Sequence, residues 1–477
     1  MSGAAPTPGR AGCLLALLQT SASMARPCRY RGRKVQRLRA ARFCLDQTIE
    51  ALLALREAGD PIVEGLRVGV LDFAGASLLP GDSGALLPPL EELAGLAGAQ
   101  RRRSEVRRWV MALKPSEEGP PLEQALAEAS RLLVSWMAAS PDGRPPLLLI
   151  CSDGAGEGPE AERLRRSLSL LATTWGPLRT AEARFGSEEE VCPGAALTIN
   201  RPFFPMVEGL MRQWGERGRV SAPSDLPALT RPGSPGLCEM RLLTTPKRGN
   251  SEEECEDGAL CRPEEGLAAV CDGAGEGIFT RRWVQRLLDS YAVERPDVTD
   301  RTAFLDWLQR CRQEWFGEIG FDGLRGYQQN KVLDTGAGGT FLAWQLGEAG
   351  PDGSFAWRAW AVGDACLFWV RRDVLWATFP MAHWRHFGLT PCLLRSRRDV
   401  PVPAPVFAAG RCLPGDVFFL ATDAVAQELL RCVAEGQGPS WDELLTLSEE
   451  GWRERIERLR DAGRITNDDS TLLSVRV

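Results

Sequence analysis

The chain has 477 residues, enough for two or three domains, each with a core of its own. Its 57 Lys and Arg against 63 Asp and Glu leave a net charge of -6, so no overall attraction draws it to nucleic acid or an anionic membrane. The only two histidines are His383 and His386, which excludes a histidine-rich zinc site and leaves any chemistry to carboxylates. Those two could share one helical turn as metal ligands; the plainer reading is a pair of surface or half-buried side chains. The apolar run Cys13 to Leu18 is too short to span a bilayer and lacks the flanks of a cleaved leader. The 14 cysteines contain no CxxC pair and suit unpaired thiols. A soluble cytoplasmic protein is expected.

In chain order, Cys13–Leu18, Arg67–Phe73 and Leu147–Cys151 are short apolar runs of the kind that form strands buried on both faces. Between them, Leu38, Ala41, Leu45, Ile49 and Leu52 recur at helical spacing, as do Leu122, Leu126, Ala129, Leu133 and Trp136. Strands alternating with helices predict a doubly wound parallel sheet, whose sites form where loops converge at the carboxyl ends of strands. Asp153-Gly154 holds such a position, and so does the stretch QTSASM after Leu18. Two basic clusters, eight Lys or Arg within Arg26–Arg42 and five within Arg101–Arg108, read as solvated helix faces or as a landing place for an acidic or phosphorylated partner.

The segment SAPSDLPALTRPGSPG, Ser221 to Gly236, has four prolines and no apolar periodicity, and predicts a linker over 219–237. Eleven of the 15 tryptophans lie beyond it, so the halves are not duplicates. Amphipathic helices are predicted at Thr280–Val293 and Thr302–Phe316. Strands follow at Thr340–Leu346, Phe355–Val362, Ala365–Arg371, Val374–Phe379, Val417–Ala421 and Leu472–Val477. The tight turn signals Pro351-Asp352-Gly353 and Gly363-Asp364 point to antiparallel meanders, and so to an α+β sandwich of two sheets flanked by helices.

LLALLQTSASMARP, RVGVLDFAG, GPPLEQALAEA and LLLICSDGAGEG follow the order of a von Willebrand factor A-type domain, and residues 10–218 resemble it, with a tellurite-resistance-type flavour. That family holds Mg²⁺ with Asp-x-Ser-x-Ser, a loop threonine and an Asp-Gly, oxygen ligands suited to a hard cation. Here Ser21, Ser23 and Asp153 match, but Gln19 replaces the first carboxylate and Gly119-Pro120-Pro121 the threonine loop. The resemblance therefore implies a degenerate metal site on a docking or scaffolding domain; turn and capping chemistry is the competing reading of the two serines.

Residues 238–477 resemble the metal-dependent protein phosphatases of the 2C family. The motifs, in register, are CEDGAL, AAVCDGAGEG, GAGGTFLAW, AWAVGDACLFWV, PGDVFFLATDAV and NDDSTLLSVRV. The resemblance implies a protein-serine/threonine phosphatase with two Mn²⁺ or Mg²⁺ ions and a bridging hydroxide that attacks phosphorus directly. Asp272 would bridge the ions, the Gly273 carbonyl would ligate one, and Asp423 and Asp468 would hold the other. Glu256 and Asp257 would orient waters. Asp364 reads as a turn residue, and the phosphate-binding cation is not placed, although Lys247 and Arg248 lie upstream.

Departures include Gly275-Glu276 after the Asp-Gly-x and Ala424 where Thr-Asp-Gly is usual. They leave open an adaptor that binds phosphoproteins or a partner kinase without turnover. The expected partners are phosphorylated proteins and a Ser/Thr kinase of the same system. DGAGEG, present twice 119 residues apart, reads as convergence of two folds on an Asp-Gly at a strand end rather than as a repeat. A nucleotide loop is disfavoured because no Gly-Lys-Ser follows and Asp repels phosphate.

Overall fold

The computed structural model describes residues 11–30, 33–60, 63–73, 121–140, 143–154, 158–173, 176–184, 238–274, 276–388 and 391–477. The linker at 219–237, the Arg101–Arg108 cluster, Gly119-Pro120 and Gly275 lie outside the described residues. The chain forms two compact units, one from residues up to 221 and one from 222 onward, with the short segments 137–141 and 170–174 grouped in the second.

The first unit contains a four-stranded sheet in the order Leu66–Asp72, Gly12–Leu18, Leu147–Ser152, Arg179–Arg184, with every pairing parallel. Side chains alternate across a strand. Leu14, Ala16 and Leu18 accordingly share a core with Leu38, Ala41, Leu45, Ile49 and Leu52 of the helix Arg37–Glu57. Cys13, Leu15 and Leu17, on the opposite face, are as deeply buried. A strand buried on both faces needs an uninterrupted apolar run, which is what GCLLALL supplies.

The second unit is a sandwich of two antiparallel sheets. One runs Gly258–Arg262, Leu267–Cys271, Phe341–Ala349, Phe355–Val362, Val406–Cys412, and Leu171–Thr173 continues it with Ala172 opposite Phe407. The other runs Val374–Phe379, Cys366–Arg371, Val417–Ala421, Ser470–Arg476, Glu239–Thr245. Aromatic side chains join the sheets: Phe418 lies 4.9 Å from Trp344 and 5.2 Å from Trp357, ring centroid to centroid, and Trp357 lies 5.5 Å from Trp369.

Because the period is two, the next residue, Phe419, faces outward and meets Trp441 at 5.4 Å. There the helices Asp423–Ala434, Trp441–Thr446 and Glu449–Asp461 cover the second sheet through Val425, Leu429, Trp452 and Ile456. The helices Thr280–Glu294 and Arg301–Glu318 cover the first through Trp283, Leu287, Trp307 and Trp315. The order of layers is helix, sheet, sheet, helix. No helix among the described residues is long and apolar enough to cross a membrane.

Candidate functional site

Register brings the acidic residues of the second unit to one end of the sandwich. Gly258 pairs with Cys271, so Asp257, one residue before the first strand, and Asp272, one after the second, flank the same rung. In the other sheet Ala421 pairs with both Cys366 and Leu472, which sets Asp364, Thr422, Asp423 and the Asp468-Asp469 pair at that end too. Strands remote in sequence thus deliver side chains to one rim. The two sheets are tied there by the Thr422 hydroxyl, which donates to Asp257 Oδ2 at 3.0 Å.

The backbone fits closely around Asp272. Its amide donates to Thr340 Oγ1 at 3.1 Å, and its carbonyl accepts from Thr340 N at 2.9 Å. Gly273 bridges to Gly339 in antiparallel fashion. A Cβ on Gly273 would lie 2.7 Å from the Glu256 carbonyl oxygen and 2.7 Å from Thr280 Cγ2, closer than real Cβ atoms come. Glycine is therefore required by the approach of the Glu256 backbone.

Repulsion within this group is visible in its proton affinities. Burial, then the charges of Asp257, Asp423, Asp364 and Asp468, push the Asp272 carboxyl well above the usual carboxylate range. Asp257 is raised well above it by burial and by Asp469, against hydrogen bonds from Thr471 and Thr422. Asp423 is raised by burial and by Asp468, while a hydrogen bond with Asp272 and the Ala424 amide lower it. Asp364, only 2% exposed, is pushed up to about 7 by burial and by Asp423. Glu256 is raised by burial, with Lys247 acting the other way.

Two atoms of the group, Asp257 Oδ1 and Asp364 Oδ1, are buried without a hydrogen-bond partner. A buried carboxylate oxygen left unpaired is unfavourable, and a hard divalent cation, which takes oxygen donors, would satisfy it. The donor set therefore fits Mg²⁺ or Mn²⁺ in kind. Among the described residues, however, no three His, Cys, Asp or Glu side chains close into a cage of metal-ligand dimensions. The carboxylates lie within electrostatic reach of one another without being drawn together.

The adjacent pair Asp468-Asp469 divides its work. Asp469 is buried, and its two oxygens accept from the amides of Lys247 and Glu256, each at 2.7 Å, which clamps both incoming segments. Asp468 is exposed, and its Oδ1 accepts from the Asp469 amide at 2.9 Å. Asp423 begins its helix, with Thr422 at the N-cap position. Lys247 also belongs to this rim. Its Nζ lies 3.6 Å from Glu256 Oε2, and although burial acts the other way, Glu256, Asp469 and Asp468 raise its proton affinity. Arg248, by contrast, is paired with Glu457 and Asp461 on the flanking helix.

Asp364 and Lys247 also lie at this rim, although the sequence pattern assigns neither of them to it. The signal for Asp364 is the Gly-Asp turn itself, which reads as a plain turn because nothing local shows that the chain crosses there from one sheet to the other. His383 and His386 lie at a short 3-10 turn, with ring centroids 5.5 Å apart, and among the described residues belong to no cluster of metal-ligating side chains.

In the first unit, Gln19, Ser21, Ser23 and Asp153 do come together at the carboxyl ends of neighbouring strands. Gln19 Oε1 accepts from the Asp153 amide at 2.8 Å, and Gln19 Nε2 donates to Ser21 Oγ at 2.8 Å and Ser23 Oγ at 3.4 Å. The two serine hydroxyls are 2.8 Å apart. Ser21 stands at the N-cap of the 3-10 turn Ala22–Ala25 but makes no side-chain capping bond. The Asp153 carboxylate, fully buried, pairs with Arg37 Nη1 at 3.0 Å.

No family model and no curated protein matches the chain. Solved structures similar to about half of it include PppA, described as a key regulatory component of T6SS in Pseudomonas aeruginosa, at 17% identity and a TM-score of 0.35 over 51% of this chain and 98% of that one. Another is the PPM Ser-Thr phosphatase MsPP from Mycobacterium smegmatis in complex with cacodylate, at 19% identity and 0.33 over 51% and 99%. A third is the catalytic domain of the serine threonine protein phosphatase PstP in complex with two manganese ions, at 16% identity and 0.30 over 50% and 98%.

Proposed function

We propose that the second unit is a divalent-metal-dependent phosphatase acting on phosphoserine or phosphothreonine of proteins, and that the first unit docks its clients. The observation that carries this reading is the gathering of Asp257, Asp272, Asp364, Asp423 and Asp468 at one rim by strands of two different sheets, with the proton affinities of Asp257, Asp272, Asp364 and Asp423 raised by burial and by neighbouring carboxylates. So many carboxylates facing one another destabilise a fold unless cations answer them.

Asp272, the Gly273 carbonyl, Asp423 and Asp468 would hold two Mn²⁺ or Mg²⁺ ions. Such ions supply charge neutralisation at phosphoryl oxygens and a more acidic water. Around them the chain's own groups bind and orient. Lys247 offers an ammonium to the incoming phosphoryl oxygens from the same rim. Asp469 fixes Lys247 and Glu256 through their amides, and Glu256 and Asp257 present carboxylates that order water. The Thr422 hydroxyl holds Asp257 in place. The client would be a phosphorylated protein, and a kinase that writes the phosphate is the natural counterpart.

The test is hydrolysis of p-nitrophenyl phosphate and of a phosphothreonine peptide by the full chain with Mn²⁺. Activity should vanish with EDTA and in Asp423→Asn. Undiminished turnover in Asp423→Asn removes the assignment.

A second reading, an adaptor that binds phosphoproteins without turnover, is favoured by Ala424. Its side chain is buried beside Asp423, where the motif has glycine. Calorimetry separates the two, since an adaptor shows phosphopeptide binding that EDTA does not alter and no two-ion Mn²⁺ isotherm.

A further inference from the structure

The strand-end cluster of the first unit does not fit the divalent cation that its Ser-x-Ser and Asp-Gly pattern implies. We infer that this site carries its own cation: the Arg37 guanidinium stands in the place of a metal ion, which makes the first unit a metal-independent module. Three observations meet here. The Asp153 carboxylate is fully buried and already neutralised by Arg37 at 3.0 Å, from the first residue of the helix Arg37–Glu57. A second cation beside it would lie against a guanidinium, and like charges that close repel strongly in a buried setting.

The side chain at position 19 is an amide whose Nε2 donates to Ser21 and Ser23, so the hydroxyl lone pairs that would face a cation face N–H donors instead. Its other end, Oε1, accepts from the Asp153 amide, which fixes the orientation of the amide without recourse to an ion. Every member of the cluster is thus joined to another by side-chain or backbone hydrogen bonds, and the charge balances within the chain.

The consequence concerns partners. On the reading that this unit docks clients, it would recognise them through surface charge and shape rather than by sharing a metal with a client carboxylate. Capture of a client by this unit is then indifferent to chelators, whereas chemistry in the second unit is not.

The experiment is hydrogen exchange on the full chain, read on peptides spanning Leu147–Asp153, in EDTA and in millimolar Mg²⁺. Wild-type protection should be the same in both. Arg37→Met, which leaves a buried carboxylate unpaired, should exchange at least about tenfold faster there. In Gln19→Asp with Arg37→Met, Mg²⁺ should restore protection. Mg²⁺-dependent protection in the wild type overturns the inference, as does full protection in Arg37→Met. A double variant indifferent to Mg²⁺ overturns the claim that the guanidinium stands where an ion would. Should the substituted chains fail to fold, the wild-type comparison alone decides, because Mg²⁺ must leave it unchanged.

Discussion

Asp153 and Asp272 open the same hexapeptide, follow strands of similar apolar character and have opposite electrical surroundings. Asp153 meets a guanidinium, and the amide of Gln19 occupies the neighbouring corner. Asp272 faces carboxylates from four other segments of chain, and burial together with their charge raises its proton affinity. The comparison teaches that an Asp-Gly at a strand end is only a local conformation. What it does is decided by the side chains that the topology delivers opposite it.

The largest effect expected from breaking the comparison is on turnover. Asp272→Asn should lower Mn²⁺-dependent phosphomonoester hydrolysis by about a thousandfold, roughly 4 kcal/mol of lost transition-state stabilisation. Asp153→Asn should leave kcat of the folded protein unchanged. Parallel steady-state assays of the two variants check this, and equal losses would erase the distinction between the sites.

Next in size is Gly273→Ala. The added methyl must displace the Glu256 backbone or Thr280, so a loss of about 1–3 kcal/mol in stability is expected, measured by denaturant unfolding, together with a raised Mn²⁺ requirement. A neutral Gly273→Ala would mean that the rim yields more easily than its contacts imply.

A third effect is on pH. In metal-free protein Asp364 has a proton affinity near 7, against an ordinary 3.8, and Asp272 and Asp257 are raised as well. The folded state therefore holds protons that the unfolded chain releases between about pH 4 and 7. Stability is full below that window and falls as pH rises through it, by up to about 1.4 kcal/mol per pH unit for each such carboxyl. Thermal melts in EDTA should fall between pH 5 and 8, and Mn²⁺ should flatten the trend. A melting point that rises with pH in EDTA would contradict the clustering.

The smallest effect concerns Lys247. Lys247→Ala should raise KM for phosphopeptide about tenfold and change kcat less, as loss of a ground-state anion contact does. An unchanged KM would move the phosphate elsewhere on the rim.

Much of this architecture is legible in the amino-acid pattern. Phe355–Val362, Val374–Phe379 and Val417–Ala421 run between the residues expected, because apolar β-formers bounded by turn signals leave little freedom. Val406–Cys412 escapes that pattern. Its Ala-Ala-Gly-Arg centre has weak intrinsic preference, and pairing with Phe355–Val362 supplies the conformation. The helices Trp441–Thr446 and Glu449–Asp461 are likewise absent from the expected elements, although each opens on a capping serine, Ser440 and Ser448.

Motif order singles out Asp257, Asp272, Asp423 and Asp468, which register brings to one rim. It is not enough to find the pairings that give them character. Arg37 reaches Asp153 across 116 positions of sequence, and Asp469 reaches Lys247 across 222. Such partners follow from register and strand order, which no local pattern encodes.

The most direct test of the central claim is an anomalous difference map from crystals of the full chain grown with Mn²⁺. Manganese peaks among Asp272, Asp423 and Asp468, with none at Asp153, are the predicted result. A map empty at the first group, or a peak beside Asp153 and Ser21, would contradict it.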